Sequence, residues 1–215
     1  MTEVALYPRP EMVAFPNMVQ PLHVFEPRYR QMVNECIRDD RPLGLSHSRK
    51  LLRAVSDEQT PDEMWQSNQS TYLPFDVFCM GRCEIVNTTD DGRVHVMVHV
   101  EERVQTVSEV QVLPYRIVET RPYGDEPDDE MEQRRLLEEV NEKLIDVFGA
   151  LRPRLAKTFL SHEWLDLSPF EASFKIFSHL RFEGDLMQAV LESRRTSERL
   201  KMIFDVLDQF DAERQ

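Results

Sequence analysis

LYPRPEMVAFPNMVQPLHVFEPRYRQMV, residues 6–33, changes from one kind of local structure to another partway along its length. Four prolines interrupt its first part: Pro8, Pro10, Pro16 and Pro21. Each excludes a helix interior, because proline lacks a backbone N–H and its ring clashes with the preceding turn. The apolar pieces between them, residues 12–15 and 22–25, are therefore predicted to be short strands joined by turns.

The second part of this stretch has the apolar spacing of a helix. From Glu26 onward the apolar side chains fall on one helical face, at Tyr29, Met32, Val33 and either Cys36 or Ile37. Pro27 suits the first helical position, where its missing N–H leaves no hydrogen bond unmade. The charged residues at the junction predict a structural ion pair between Glu26 and Arg28, which holds this helix against the strands.

Residues 15–29 also carry a longer pattern, Phe-Pro followed by Pro-Leu-x-Val-Phe-Glu-x-Arg-Tyr. This pattern resembles the N-terminal domain of ATP-dependent Lon proteases, where its use is mainly architectural. The resemblance implies structural roles for seven residues: Phe15, Pro16, Pro21, Phe25, Glu26, Arg28 and Tyr29. Among them we expect Phe25 and Tyr29 in the core, and Pro16 and Pro21 in turns.

The remainder of the first half predicts further strands and one long loop. Strands are expected at residues 43–45, 75–86, 94–107 and 115–119, with the strict Val alternation of residues 94–100 as the strongest signal. Residues 46–70 are polar and predict a loop of a length that is often functional. Leu51 and Leu52 either continue a strand, with Trp65 packed on the core, or belong to a partner-contact loop. The candidate peptide contacts are Leu51, Leu52, Met64 and Trp65.

The second half has helical periodicity almost throughout, and its apolar spacing predicts that Phe170 and Phe210 face inward on their helices. An acidic linker at residues 124–130 leads into a helix, and Ser168-Pro169-Phe170-Glu171 predicts a capping box at the start of a later one. Glu198-Arg199-Leu200 opens the last helix and again resembles the Lon N-terminal domain. We therefore predict an α+β fold with two domains. Residues 1–124 are mainly β, and the resemblance implies a PUA-like pseudobarrel for them; residues 125–215 form a helical bundle.

Charge and composition exclude several classes of function. The formal net charge of −13 repels a phosphate backbone and opposes nucleic-acid binding. No apolar run is long enough to span a bilayer, so no membrane role is expected. The N-terminus lacks a signal-peptide pattern, and three scattered cysteines suit a reducing compartment, which predicts a cytoplasmic location.

Catalytic, metal and cofactor sites are not expected. Cys79 and Cys83 lie four apart in a predicted strand, which separates their side chains by about 13 Å, too far for shared tetrahedral ligation. The same spacing argues against a metal site formed by His95 and His99. No Walker phosphate loop and no Gly-x-Ser-x-Gly elbow occur in the sequence. We therefore expect no enzyme activity, and the chain resembles a stand-alone Lon domain without ATPase or Ser-Lys protease parts.

The resemblance implies non-catalytic binding of polypeptides. The expected partner is a polypeptide client or a protein such as Lon itself, taken up at exposed strand edges and an apolar groove. The alternative is a hydrolase or small-molecule binder that uses a cleft between the two halves.

Overall fold

The computed structural model describes residues 1–53, 71–149 and 151–212. They form two compact units, one of Met1–Gly124 with Glu183–Leu191 and the other of Asp125–Phe182 with Glu192–Gln215. The first unit is mainly β and the second is helical, which confirms the predicted α+β fold. The domain boundaries predicted from the sequence stay a prediction; in the structure, Glu183–Leu191 belongs to the β-rich unit.

Within the described residues, eight strands and one helix build the first part of the β-rich unit. In chain order they are β1 Thr2–Pro8, β2 Val19–Val24, α1 Pro27–Arg38, β3 Leu43–Ser46, β4 Ser48–Arg53, β5 Thr71–Pro74, β6 Val77–Thr88, β7 Val94–Gln111 and β8 Arg116–Pro122. Six strands form one sheet in the order β2-β7-β6-β3-β1-β8, and β8 also pairs with β7. The sheet therefore closes on itself, with β2 outside the closed circuit and β4–β5 as a separate ribbon.

Burial alternates along β7 as its sequence predicts. Its first half buries Val94, Val96, Val98 and Val100, while the residues between them are more exposed. The pairing of β6 with β7 shifts between Met80 and Gly81. A Cβ atom on Gly81 would lie 1.9 Å from the carbonyl oxygen of His99, so only glycine fits this close approach of the two strands. β7 itself pairs with three strands, β2, β6 and β8.

The proline-rich start of the chain differs from its prediction. Residues 12–15 are mostly buried but are not a strand. Pro16 does lie in a turn, because the Met18 N–H donates to the Phe15 carbonyl oxygen at 3.3 Å and Asn17 has a φ of 64°. Pro21 instead lies inside β2, where it is tolerated because β2 pairs only with β7 among the described strands.

Helix α1 begins at Pro27 as predicted and buries Tyr29, Met32, Val33 and Cys36. Phe25, which we expected in the core, is only partly buried. It lies at the junction between β2 and α1, where the chain leaves the sheet. Phe15 is fully buried.

The helices of the second half are α2 Glu130–Phe148, α3 Pro153–Phe159, α4 His162–Leu165, α5 Pro169–Lys175, α6 Gly184–Glu192 and α7 Thr196–Ala212. Helix α6 falls almost wholly in the β-rich unit. The capping box predicted for α5 is present. Two aromatic residues predicted to face inward, Phe170 and Phe210, are substantially exposed. Arg199 of α7, in contrast, is fully buried and lies over the ring of Phe174 at 4.3 Å.

Candidate functional site

The ribbon of β4 and β5 is the first part of the candidate site. The prediction of a loop throughout residues 46–70 is wrong for residues 48–53, which form β4. β5 ends at Pro74, and polar contacts hold the following residue, Phe75. Its N–H donates to the His47 carbonyl oxygen at 3.0 Å, and the Ser46 hydroxyl donates to its carbonyl oxygen at 3.2 Å. Arg49 on β4 lies 4.9 Å from the Phe75 ring.

The ribbon exposes apolar side chains. Leu51 is 47% exposed, Leu52 is 48% exposed and Leu73 is 39% exposed. Both Leu51 and Leu52 lie in β4, so they continue a strand, which is one of the two alternatives stated from the sequence. Their side chains are nevertheless exposed to solvent. Met64 and Trp65, the other candidate peptide contacts, lie outside the described residues.

A small groove of about 50 Å³ in the β-rich unit includes the first residue of β5 in its wall. Its lining residues are mostly apolar or aromatic: Leu6, Pro8, Arg28, Tyr29, Thr71, Val112, Leu113, Pro114, Tyr115 and Arg116. Leu113, in the loop between β7 and β8, is 77% exposed. The groove thus combines an apolar lining with a large apolar side chain that solvent reaches freely. Ribbon and groove meet at Thr71.

An ion pair lies at the junction of the ribbon with α1. The Arg28 guanidinium contacts the Glu26 carboxylate at 2.8 Å, and both side chains are nearly buried. Arg28 also donates to the Thr71 hydroxyl at 3.0 Å, and its guanidinium lies 4.5 Å from the Tyr29 ring. Helix α1 and the ribbon are therefore fixed to each other by a side chain whose charge is compensated.

The two tyrosines of the groove stay neutral at ordinary pH. Burial raises the pKa of Tyr29 above its usual value. Burial also raises the pKa of Tyr115, and its hydroxyl donates a hydrogen bond to the Glu35 carboxylate, which raises that pKa further. The second arginine of the groove, Arg116, pairs with Glu109. With neutral tyrosines and compensated arginines, the groove favours uncharged, apolar groups.

The pairs that the sequence analysis considered for metal binding are Cys79 with Cys83 and His95 with His99. In the structure, members of these pairs contact other residues. Cys83 contacts Cys36 of α1. His95 stacks on His23 of the neighbouring strand with ring centroids 4.7 Å apart, and His99 contacts Glu84 at 3.1 Å. Within the described ranges, no group of three or more His, Cys, Asp or Glu side chains could hold a metal ion.

Sequence reasoning missed two features of this unit. The groove residues Val112 and Leu113 gave no signal, because isolated apolar residues in a loop have no period. The contact between Cys36 and Cys83 was missed because it joins a helix to a strand far away in sequence. In the part of the chain that the structure describes, no helix has the length and hydropathy needed to cross a membrane.

Comparison with known proteins gives consistent matches. A Lon protease of Chloroflexus aggregans is 28% identical over 134 residues, which cover 62% of this chain and 15% of that protein. Lon protease 1 of Herpetosiphon aurantiacus is 21% identical over 210 residues, which cover 95% of this chain and 24% of that protein. The chain thus spans at most about a quarter of the length of these relatives.

Solved structures show the same fold. The N-terminal domain of a Lon protease from the Mycobacterium avium complex superposes with a TM-score of 0.69 at 13% identity, covering 96% of this chain and 98% of that one. A Lon N-terminal domain protein from Xanthomonas campestris gives 0.63 at 17% identity, covering 95% and 98%. The model of the family described as the ATP-dependent protease La (LON) substrate-binding domain matches residues 3–209. Because that match spans nearly the whole sequence, the chain belongs to the Lon substrate-binding domain family.

Proposed function

We propose that this chain binds extended, apolar polypeptide segments without catalysing a reaction on them. The observation that carries the proposal is the exposed apolar ribbon, Leu51, Leu52 and Leu73, next to a groove lined mainly by apolar and aromatic side chains. Its partners are polypeptide clients, or a protein such as Lon itself, and we place the binding in the cytoplasm.

The geometry of the ribbon supports an extended ligand. Among the described residues, β4 and β5 form a sheet of two strands, in which each strand pairs on one side only. A strand edge offers backbone N–H and C=O groups that an extended chain can pair with, and neighbouring apolar pockets then accept alternate side chains. The ribbon supplies such edges, and the groove at Thr71 supplies the pocket.

The charge of the chain supports selection among polypeptides. With a net charge of −13, it repels strongly acidic segments at long range. The groove itself presents no uncompensated arginine, since Arg28 pairs with Glu26 and Arg116 pairs with Glu109. Apolar segments of neutral or basic polypeptides are therefore the favoured clients.

Titration of fluorescein-labelled, permanently unfolded lactalbumin (reduced and carboxymethylated) with the purified chain tests the proposal by fluorescence anisotropy. The triple substitution Leu51→Ser, Leu52→Ser and Leu73→Ser should weaken binding about tenfold or more, because a few buried apolar anchors carry most of the energy of such interfaces. Unchanged affinity for the triple variant would contradict the proposed site.

The matched control is Leu160→Ser with Leu165→Ser. These leucines of the helical unit are 59% and 54% exposed. Replacing them therefore removes an exposed apolar surface comparable to that of the three ribbon leucines, but in the other unit. The control variant should bind as the wild type does. An equal loss of affinity in both variants would show non-specific binding to exposed apolar side chains rather than a site on the ribbon.

The non-catalytic part of the proposal has its own test. Highly purified chain should neither hydrolyse ATP nor cleave casein above the level of a preparation from cells that lack the gene. Activity that copurifies with the chain through two further chromatographic steps would overturn this part and leave the binding result standing.

A further inference from the structure

His47 lies at the base of the ribbon, between the end of β3 and the start of β4. Its side chain is 5% exposed, and its ring stacks on the ring of Phe75 with centroids 5.4 Å apart and an interplanar angle of 10°. The Phe75 N–H donates to the His47 carbonyl oxygen at 3.0 Å. Because His47 precedes β4 and Phe75 follows β5, this pair joins the two points at which the chain enters and leaves the ribbon.

Both ring nitrogens of His47 are engaged. The Glu11 N–H donates to Nδ1 at 2.9 Å, and Nε2 lies 3.2 Å from Oδ1 of Asp185. A backbone N–H can only donate, so Nδ1 is an unprotonated acceptor, and the proton of the neutral ring is on Nε2, which donates to Asp185. The two hydrogen bonds therefore fix the orientation of the ring and its tautomer.

The two partners of His47 are tied to the start of α6. The Glu11 carboxylate accepts a hydrogen bond from the Gly184 N–H at 2.7 Å, and Gly184 immediately precedes Asp185. A Cβ atom on Gly184 would lie 2.8 Å from Cε1 of His47 and 2.9 Å from Oε2 of Glu11, which is closer than van der Waals contact allows. The base of the ribbon, the segment around Glu11 and the start of α6 thus form one tightly packed group within the β-rich unit.

The ribbon depends on such a support for its orientation. Two antiparallel strands without a third are only marginally stable in water, and among the described strands β4 and β5 pair only with each other. The opposite end of the ribbon is tied separately, by the hydrogen bond from Arg28 to Thr71. The direction in which the ribbon leaves its base is therefore set by the contacts of His47 and Phe75.

We propose that His47 is a positioning residue for client binding: held by Glu11 and Asp185, it fixes the direction in which the ribbon presents its exposed leucines. The effect on binding rests on the proposed function, whereas the orientation of the ribbon in the free chain does not. Without His47 the leucines remain, but the ribbon takes up several orientations. If it spends about a fifth of its time in the binding orientation, the apparent affinity falls about fivefold.

Amide hydrogen exchange of the free chain, together with the anisotropy titration with labelled unfolded lactalbumin, tests the proposal. In His47→Ala, exchange in residues 48–53 and 71–74 should be about tenfold faster, because two fewer hydrogen bonds hold the base closed. Affinity should fall about fivefold or more. Unchanged exchange in β6 and β7 shows that the sheet is intact. The matched control is His99→Ala, which removes a half-exposed histidine of the same unit and should change neither quantity.

Three further variants separate positioning from a general loss of structure. Gly184→Ala keeps His47 and every ribbon residue but should displace the ring, so it should loosen the ribbon and weaken binding as His47→Ala does. Asp185→Ala removes a side chain that is 91% exposed, so it should fold, and it should loosen the ribbon in the same way. Asp185→Asn should behave as the wild type, because its amide oxygen still accepts from Nε2. Nitrogen-15 NMR of the wild-type chain should place the His47 proton on Nε2.

The proposal is wrong if ribbon exchange is the same in His47→Ala and the wild type, if the ribbon loosens without loss of affinity, or if neutral His47 carries its proton on Nδ1. A wild-type chain that does not bind lactalbumin overturns the proposed function and with it the role of His47 in binding. Ribbon exchange in the free variants still decides, in that case, whether His47 holds the ribbon.

Discussion

Arg199 allows the sharpest test of how the helical unit is held together. Its side chain is 0% exposed. Its guanidinium contacts both carboxylate oxygens of Asp125 at 2.9 and 2.6 Å and donates to the Ser173 hydroxyl at 3.0 Å. The guanidinium also lies over the Phe174 ring. Removing this buried charge, which is held by an ion pair and several hydrogen bonds, should destabilise the unit strongly.

Arg199→Ala leaves the Asp125 carboxylate without its cation and the unit with a void. Loss of one partner of a buried ion pair costs about 3–5 kcal/mol. The Asp125 side chain is 20% exposed, so water can solvate it in the variant and the ionic part falls toward the lower end of that range. The lost contact with the Phe174 ring adds about 1 kcal/mol. We therefore expect the free energy of unfolding to fall by about 3–4 kcal/mol.

Urea denaturation followed by the fluorescence of Trp164, which is buried in the same unit, measures this change. The control is Arg135→Ala, which removes exposed ion pairs with Glu132 and Glu139 on one helix and should leave the free energy of unfolding almost unchanged. A loss below about 1 kcal/mol for Arg199→Ala would refute the reasoning, because it is the size expected of a surface pair.

Three further expectations concern the β-rich unit. Glu26→Gln should lower the free energy of unfolding in urea by about 3 kcal/mol, because it removes the carboxylate from a nearly buried ion pair. Phe15→Ala should cost about 3–5 kcal/mol in the same assay, and Phe25→Ala less, because Phe25 is only partly buried. Hydrogen bonds from Tyr115 and Gln31 lower the pKa of Glu35, so this carboxylate contributes stability above its ordinary pKa that is lost as the pH falls through the folded-state value. Tyr115→Phe should return the Glu35 pKa toward its ordinary value in an NMR titration.

The sequence predicted elements wherever a pattern was local. Helix α1 was foreseen because Pro27 marks its start and its apolar side chains keep a helical period, and β7 because four valines alternate. Residues 12–15 were mispredicted as a strand, since an apolar run between prolines shows burial but not pairing. Pro21 was assigned to a turn, although an edge strand can hold a proline where no N–H is needed.

The candidate site was predictable only in part. Leu51 and Leu52 stood out as apolar residues in a polar stretch, but their sequence did not reveal whether they face solvent. The groove depends on residues from four separate segments that meet only in the folded chain. The prediction that Phe170 faces inward was wrong. Periodicity identifies the apolar face of a helix, but it does not show how far neighbouring side chains cover each residue on that face.

Amide hydrogen exchange of the chain, with and without saturating unfolded lactalbumin, tests the central claim most directly. Binding at the proposed site should slow exchange in residues 48–53, 71–74 and 112–115, because an added strand pairs with backbone groups of the ribbon and covers the groove. Exchange in α7 should not change. Slowed exchange confined to α7 or to other helices of the second unit, with the ribbon unaffected, would contradict the account.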